Sequence, residues 1–96
     1  MENEAAYKEI LEAIIHGKIL SFGQMAIDKT NETKGIEIDS DGKIIRIIGD
    51  PSAIIHEILA SFEKISGKTS SIAARIAAAD IIKKNVGLTL PAELVK

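Results

Sequence analysis

Apolar residues recur at intervals of three and four along the first stretch of the chain. Tyr7, Ile10, Leu11 and Ile14 share one helical face, so residues 3–16 are expected to form an amphipathic helix. Glu2 and Glu4 add negative charge near its start, where the helix dipole favours it. Gly17 is expected to end it. Beyond that glycine, Ile19, Phe22 and Ala26 line one side of a second helix over 18–31, with Met25 and Ile27 at its edges. A strand over Ile19–Phe22 is the alternative, but Gly23-Gln24 would interrupt it. Residues 30–35 read as a polar loop.

The period then changes from helical to alternating. Ile36-Glu37-Ile38 alternates at period two, and Asp39-Ser40-Asp41-Gly42 has turn chemistry. Lys43 to Ile48 return, completing a hairpin over about 36–48. Strict alternation puts Ile44 and Ile48 on one face of the second strand and Ile45 and Ile47 on the other. Isoleucine on both faces calls for cover on both, from the helices or from another molecule.

Helical spacing resumes after Asp50-Pro51, an N-cap followed by a proline at the first helical position. Ile54, Ile55, Ile58, Leu59, Phe62 and Ile65 form one apolar stripe, so a helix over 51–66 is expected, ending at Ser66-Gly67. The last helix, 69–85, is capped by Thr69 or Ser70. Its apolar arc of Ile72, Ala74, Ile76, Ala78, Ala79, Ile81, Ile82 and Val86 covers more than half its circumference. Such a helix is central in its domain or shared with a partner. Small residues at Ala73/Ala77 and Ala74/Ala78 would let another backbone approach closely. An apolar tail over 88–96 is expected to lie across a groove, its own or a neighbour's.

The pattern uses one phrase twice. Glu9-Ile10-Leu11 precedes Gly17-Lys18, Ser21 and Met25-Ala26-Ile27; Glu57-Ile58-Leu59 precedes Gly67-Lys68, Ser71 and Arg75-Ile76-Ala77. The resulting fold class is α+β and mainly helical. It is a single domain over 1–96 with the order α-α-β-β-α-α, a central hairpin between two helical pairs.

Composition narrows the functional classes. The 96 residues contain no cysteine, which excludes disulfides, thiolate metal sites and thiol catalysis and fits a reducing, cytoplasmic setting. No apolar run approaches the roughly 18 residues of a membrane span, and the acidic start Met1-Glu2-Asn3-Glu4 argues against a signal peptide. Nineteen isoleucines against two valines and three aromatics mean that aliphatic packing builds the core, a bias compatible with an AT-rich genome or with a thermophilic source. A net charge of −2 and few aromatic platforms count against nucleic acid.

The local motifs fail their chemical tests. Gly67-Lys68-Thr69 resembles the end of a phosphate loop, but Phe62 stands where the motif needs glycine and a helix precedes it. A weaker expectation is an anion held by free amides and a lysine at Gly67-Lys68, and likewise at Gly17-Lys18. Asp39-Ser40-Asp41-Gly42 opens like a calcium loop, yet Ile44 and Asp50 fill the positions that need glycine and glutamate. His16 and His56 meet Leu20 and Ala60 four residues on, not further ligands. No catalytic, metal-binding or cofactor-binding residues are assigned. Arg75 alone breaks an apolar arc, and Arg46 sits among isoleucines.

These patterns favour a homodimerising interaction module without catalytic activity, with docking of a further protein as a secondary role and no membrane association. Arg75, Arg46, Lys68, Ile45, Ile47, Ala74 and Ala78 are the candidate interface or anion contacts. The alternatives are nucleic-acid binding through Lys43, Arg46, Lys68, Arg75, Lys83 and Lys84, or a small-anion sensor.

Overall fold

The computed structural model describes residues 2–85 and 87–95; Val86 and Lys96, assigned above to the last helix's arc and to the tail, lie outside them. The elements run α1 (Glu2–Phe22), α2 (Gln24–Glu32), β1 (Ile36–Ile38), β2 (Ile44–Ile47), α3 (Pro51–Ser66), α4 (Thr69–Lys84) and α5 (Ala92–Val95). The mainly helical α+β order, with a hairpin between two helical pairs, is therefore observed. Among the described residues no helix is long and apolar enough to cross a membrane.

The first helix does not stop at Gly17. It runs 21 residues and ends at Phe22, five positions later. The reason is its buried face, where Ile10, Leu11, Ile14, Ile15 and Lys18 follow one another at helical spacing straight past the glycine. Packing of that stripe outweighs the roughly 1 kcal/mol by which glycine disfavours a helix interior. The break falls at Gly23, whose φ of 62° and ψ of −135° suit a residue without a side chain. The predicted 18–31 helix is thus two pieces, the end of α1 and all of α2.

The hairpin departs from strict alternation. Ile36 pairs with Ile47 and Glu37 with Arg46, but Ile38 pairs with Ile44, so Ile45 is an extra residue in β2. This β-bulge shifts the faces. Ile44 and Ile47 both turn to the core, beside buried Ile36 and Ile38, while Ile45 and Ile48 are exposed. The expected pairings of Ile44 with Ile48 and of Ile45 with Ile47 are both corrected. Gly42 closes the turn at φ 83°, and a methyl group there would collide with Ile19 of α1.

α3 forms as expected, with the Asp50 carboxylate accepting from the Ser52 amide at 3.2 Å and Pro51 in the first turn. Neither Thr69 nor Ser70 caps α4; Lys68 occupies the cap position without a side-chain bond, and the Thr69 hydroxyl donates back to the Ser66 carbonyl. Ala74 and Ala78 are buried within the domain, where α4 packs on α1 and α3. The tail folds onto its own chain. The Tyr7 hydroxyl donates to the Thr89 carbonyl at 2.8 Å, and Leu94 of α5 is buried. Phe22 and Phe62 stack at 5.7 Å and join the end of α1 to α3.

The two glycines of α1 and its end are expected to respond oppositely to alanine. A methyl group at Gly17 meets no atom, so Gly17→Ala should raise stability by about 0.5–1 kcal/mol. Gly23→Ala should lower it by about 1–3 kcal/mol through backbone strain. Urea-unfolding midpoints test this, and equal losses in both variants would contradict a helix continuous through Gly17.

Candidate functional site

The residues singled out by sequence divide between two surfaces. The first is an open cleft of about 300 Å³ between the end of α3, the start of α4 and α5. Glu63 enters from α3, Lys68 from the turn, Ser71, Ile72 and Arg75 from α4, and Ala92 and Glu93 from α5. Helical spacing explains the grouping on α4: residues 68, 71, 72 and 75 share one face. Arg75 is half-buried and Lys68 exposed.

The carboxylates of this cleft already have partners. The Ser71 hydroxyl donates to Glu63 Oε2, and His56 Nδ1 lies 2.9 Å from Glu93 Oε2. Lys68 and Arg75 take part in none of the ion pairs among the described residues. The backbone amides contribute less than expected. Ser70 N donates to the Gly67 carbonyl, and Ser71 N and Ile72 N both donate to that of Lys68. Three of the amides at the start of α4 are therefore taken, and an anion at Gly67-Lys68 would rest mainly on side chains.

At Gly17-Lys18 the expected anion site is replaced by an internal contact. Lys18 is only 4% exposed. Its ammonium donates to the Ser70 carbonyl at 2.6 Å and lies 5.6 Å from the centre of the Phe62 ring. Around it, the Ser70 hydroxyl donates to the Phe62 carbonyl and contacts the Ser66 hydroxyl, so the α3–α4 turn is cross-bonded from within. Burial lowers the Lys18 pKa from its ordinary 10.5. This residue has a signal in sequence: it stands three and four positions after Ile15 and Ile14, on the buried stripe.

The second surface is the hairpin's outer side. Arg46 Nη2 pairs with Glu37 Oε1 at 2.7 Å, both on the face away from the core. Ile45 and Ile48 are 58% and 65% exposed, whereas Ile47 is half-buried. The two strand edges differ. At β1, the Asn31 side chain accepts from the Ile38 amide at 2.8 Å and donates to its carbonyl at 3.3 Å, occupying both groups. At β2, Glu12 Oε2 accepts from the Ile44 amide. Beyond it, the bond from Ile48 N to the Gly35 carbonyl fixes the pairing so that Ile47 turns its own amide and carbonyl outward. Asn31, Glu12, His56 and Glu93 carry no sequence signal for these roles, because their partners lie far along the chain or depend on the bulge. Among the described residues no group of histidines and carboxylates could hold a metal ion.

No family model, no curated protein and no solved structure is significantly similar to the chain.

Lys18 makes stability depend on pH. Its lowered folded value means that the unfolded chain binds more protons between that value and 10.5, so this contribution to stability rises with pH across that window. Below the folded value the burial penalty is present in full. The wild type should gain stability relative to Lys18→Met as pH rises from neutral toward 10.5. Parallel stability curves for the two proteins in chemical unfolding would contradict this account.

Proposed function

We propose that the chain is a homodimerising interaction module of the cytoplasm, without catalytic chemistry of its own. The observation that carries this reading is the asymmetry of the hairpin. Asn31 occupies the Ile38 groups of the β1 edge, where Ile36 is buried, while the β2 edge presents Ile47 backbone groups between exposed Ile45 and Ile48. Unpaired strand edges recruit further strands. A second copy approaching about a two-fold axis would place β2 against β2, giving a four-stranded sheet and burying four isoleucines that water now covers. Backbone bonds would set the register, and the isoleucines would supply most of the driving force.

The outer face of α4 is the competing surface. Ile72 and Ile76 are exposed there, Ile76 to 73%. The hairpin is favoured because its edge offers unsatisfied hydrogen-bonding groups as well as apolar area, whereas the backbone of α4 is satisfied internally. Of the two small-residue pairs suited to close helix contact, Ala74 and Ala78 are already covered by the domain itself, while Ala73 and Ala77 remain exposed. A cysteine-free chain fits a reducing compartment.

Light scattering at about 100 µM, well above a micromolar dissociation constant, should give twice the 10.3 kDa chain mass. Ile45→Glu and Ile48→Glu should each return a folded monomer, and Ile76→Glu should stay dimeric. A monomeric wild type would overturn the proposal. A monomer produced by Ile76→Glu alone would move the interface to α4.

A further inference from the structure

We propose that the cleft beside Arg75 binds a small apolar amino acid in its zwitterionic form. This inference stands apart from the dimer, whose surface lies on the hairpin. Its basis is the combination of charges and hydrocarbon that the α3–α4 turn and α5 bring together.

The cations of the cleft have no carboxylate partner among the described residues, so their donors are available to a ligand carboxylate. Arginine can grip such a group through two parallel bonds, with Lys68 as a point charge beside it. The carboxylates keep acceptor capacity. Glu63 uses Oε2 for Ser71 and Glu93 uses Oε2 for His56, leaving both Oε1 atoms without a protein partner among the described residues. Those oxygens suit an ammonium group.

The same mixture of signs argues against other ligands. A polyphosphate brought to Lys68 and Arg75 would also meet Glu63 and Glu93. Like-charge contact in a partly desolvated site costs several kcal/mol, so a multiply charged anion is disfavoured. A simple hydrocarbon would leave four charged groups facing it without compensation. The rest of the wall, with Ile72 and Ala92, is largely apolar. A volume near 300 Å³ is at the small end of ligand sites and fits a single short molecule. A zwitterion with a short aliphatic side chain satisfies both charge signs and the apolar wall together.

The test is calorimetric titration of the intact chain with L-leucine. Saturable binding with a dissociation constant below about 1 mM is expected. Isocaproate, which lacks the ammonium, and isoamylamine, which lacks the carboxylate, should each bind about tenfold more weakly, the loss of one charge-assisted contact. Arg75→Gln and Lys68→Gln should weaken leucine by a similar factor. Lys68 is exposed, so its variant keeps the test open if Arg75→Gln fails to fold. Glu93→Gln should bring leucine and isocaproate to near-equal affinity. No saturable heat with leucine at about 10 mM, or unchanged leucine affinity in Lys68→Gln and folded Arg75→Gln, would overturn the proposal. Isocaproate binding the wild type as tightly as leucine would also overturn it, leaving a plain anion site.

Discussion

The fold depends on burying one uninterrupted stripe of α1. Ile10, Leu11, Ile14 and Ile15 are inaccessible to water, and α2, α3 and α4 all pack around the helix that carries them. With three aromatics and nineteen isoleucines, the chain has few large flat groups and must fill its interior with branched aliphatics. Such a core needs long continuous contact, which explains a helix that runs through a glycine. Close approach of α4 follows from the same constraint. Ala74 and Ala78 put little bulk between the helices, and the price is that Ile72 and Ile76, one face over, remain outside.

Lys18 adds polar structure to this apolar frame. It extends from the α1 stripe to a carbonyl at the start of α4, next to the Phe22–Phe62 stack. Three helices are therefore joined at one point, by an ammonium, two rings and two serine hydroxyls. The cleft beside Arg75 is built on the outer side of the same turn. Its walls derive their position from the interior bonds of Ser70, while Ser71, one residue on, faces Glu63. Adjacent serines thus divide between holding the turn and lining the cleft.

The elements were legible in the sequence where periodicity alone decides them. α3 is marked by Asp50-Pro51, an isoleucine stripe and Gly67; the stripe is buried from Ile54 to Phe62, while Ile65, its expected last member, is exposed. In the first helix Gly17 reads as a stop because Lys18, by residue type, does not look like a member of the buried face. Periodicity past Gly17 held the answer, but a lysine on an apolar stripe breaks a pattern based on residue type. The hairpin faces were illegible for a different reason. A bulge changes which side chains share a side, and nothing in Ile44-Ile45-Arg46-Ile47 marks the extra residue. Arg75 interrupts the α4 arc in the sequence and lies at a cleft with Lys68. Glu93 and His56 could not be paired with it beforehand, because their meeting depends on how the tail folds back.

The Asn31 side chain has a further meaning for assembly. Its amide imitates one peptide unit of a neighbouring strand and uses up the place where that strand would dock. A sheet open on both sides has two valences and can propagate without limit, as fibres do. A sheet open on one side has a single valence, and growth stops when two such sides meet. On the proposed β2–β2 pairing, one asparagine at the end of a short helix guards the Ile38 groups of the opposite edge against a further strand.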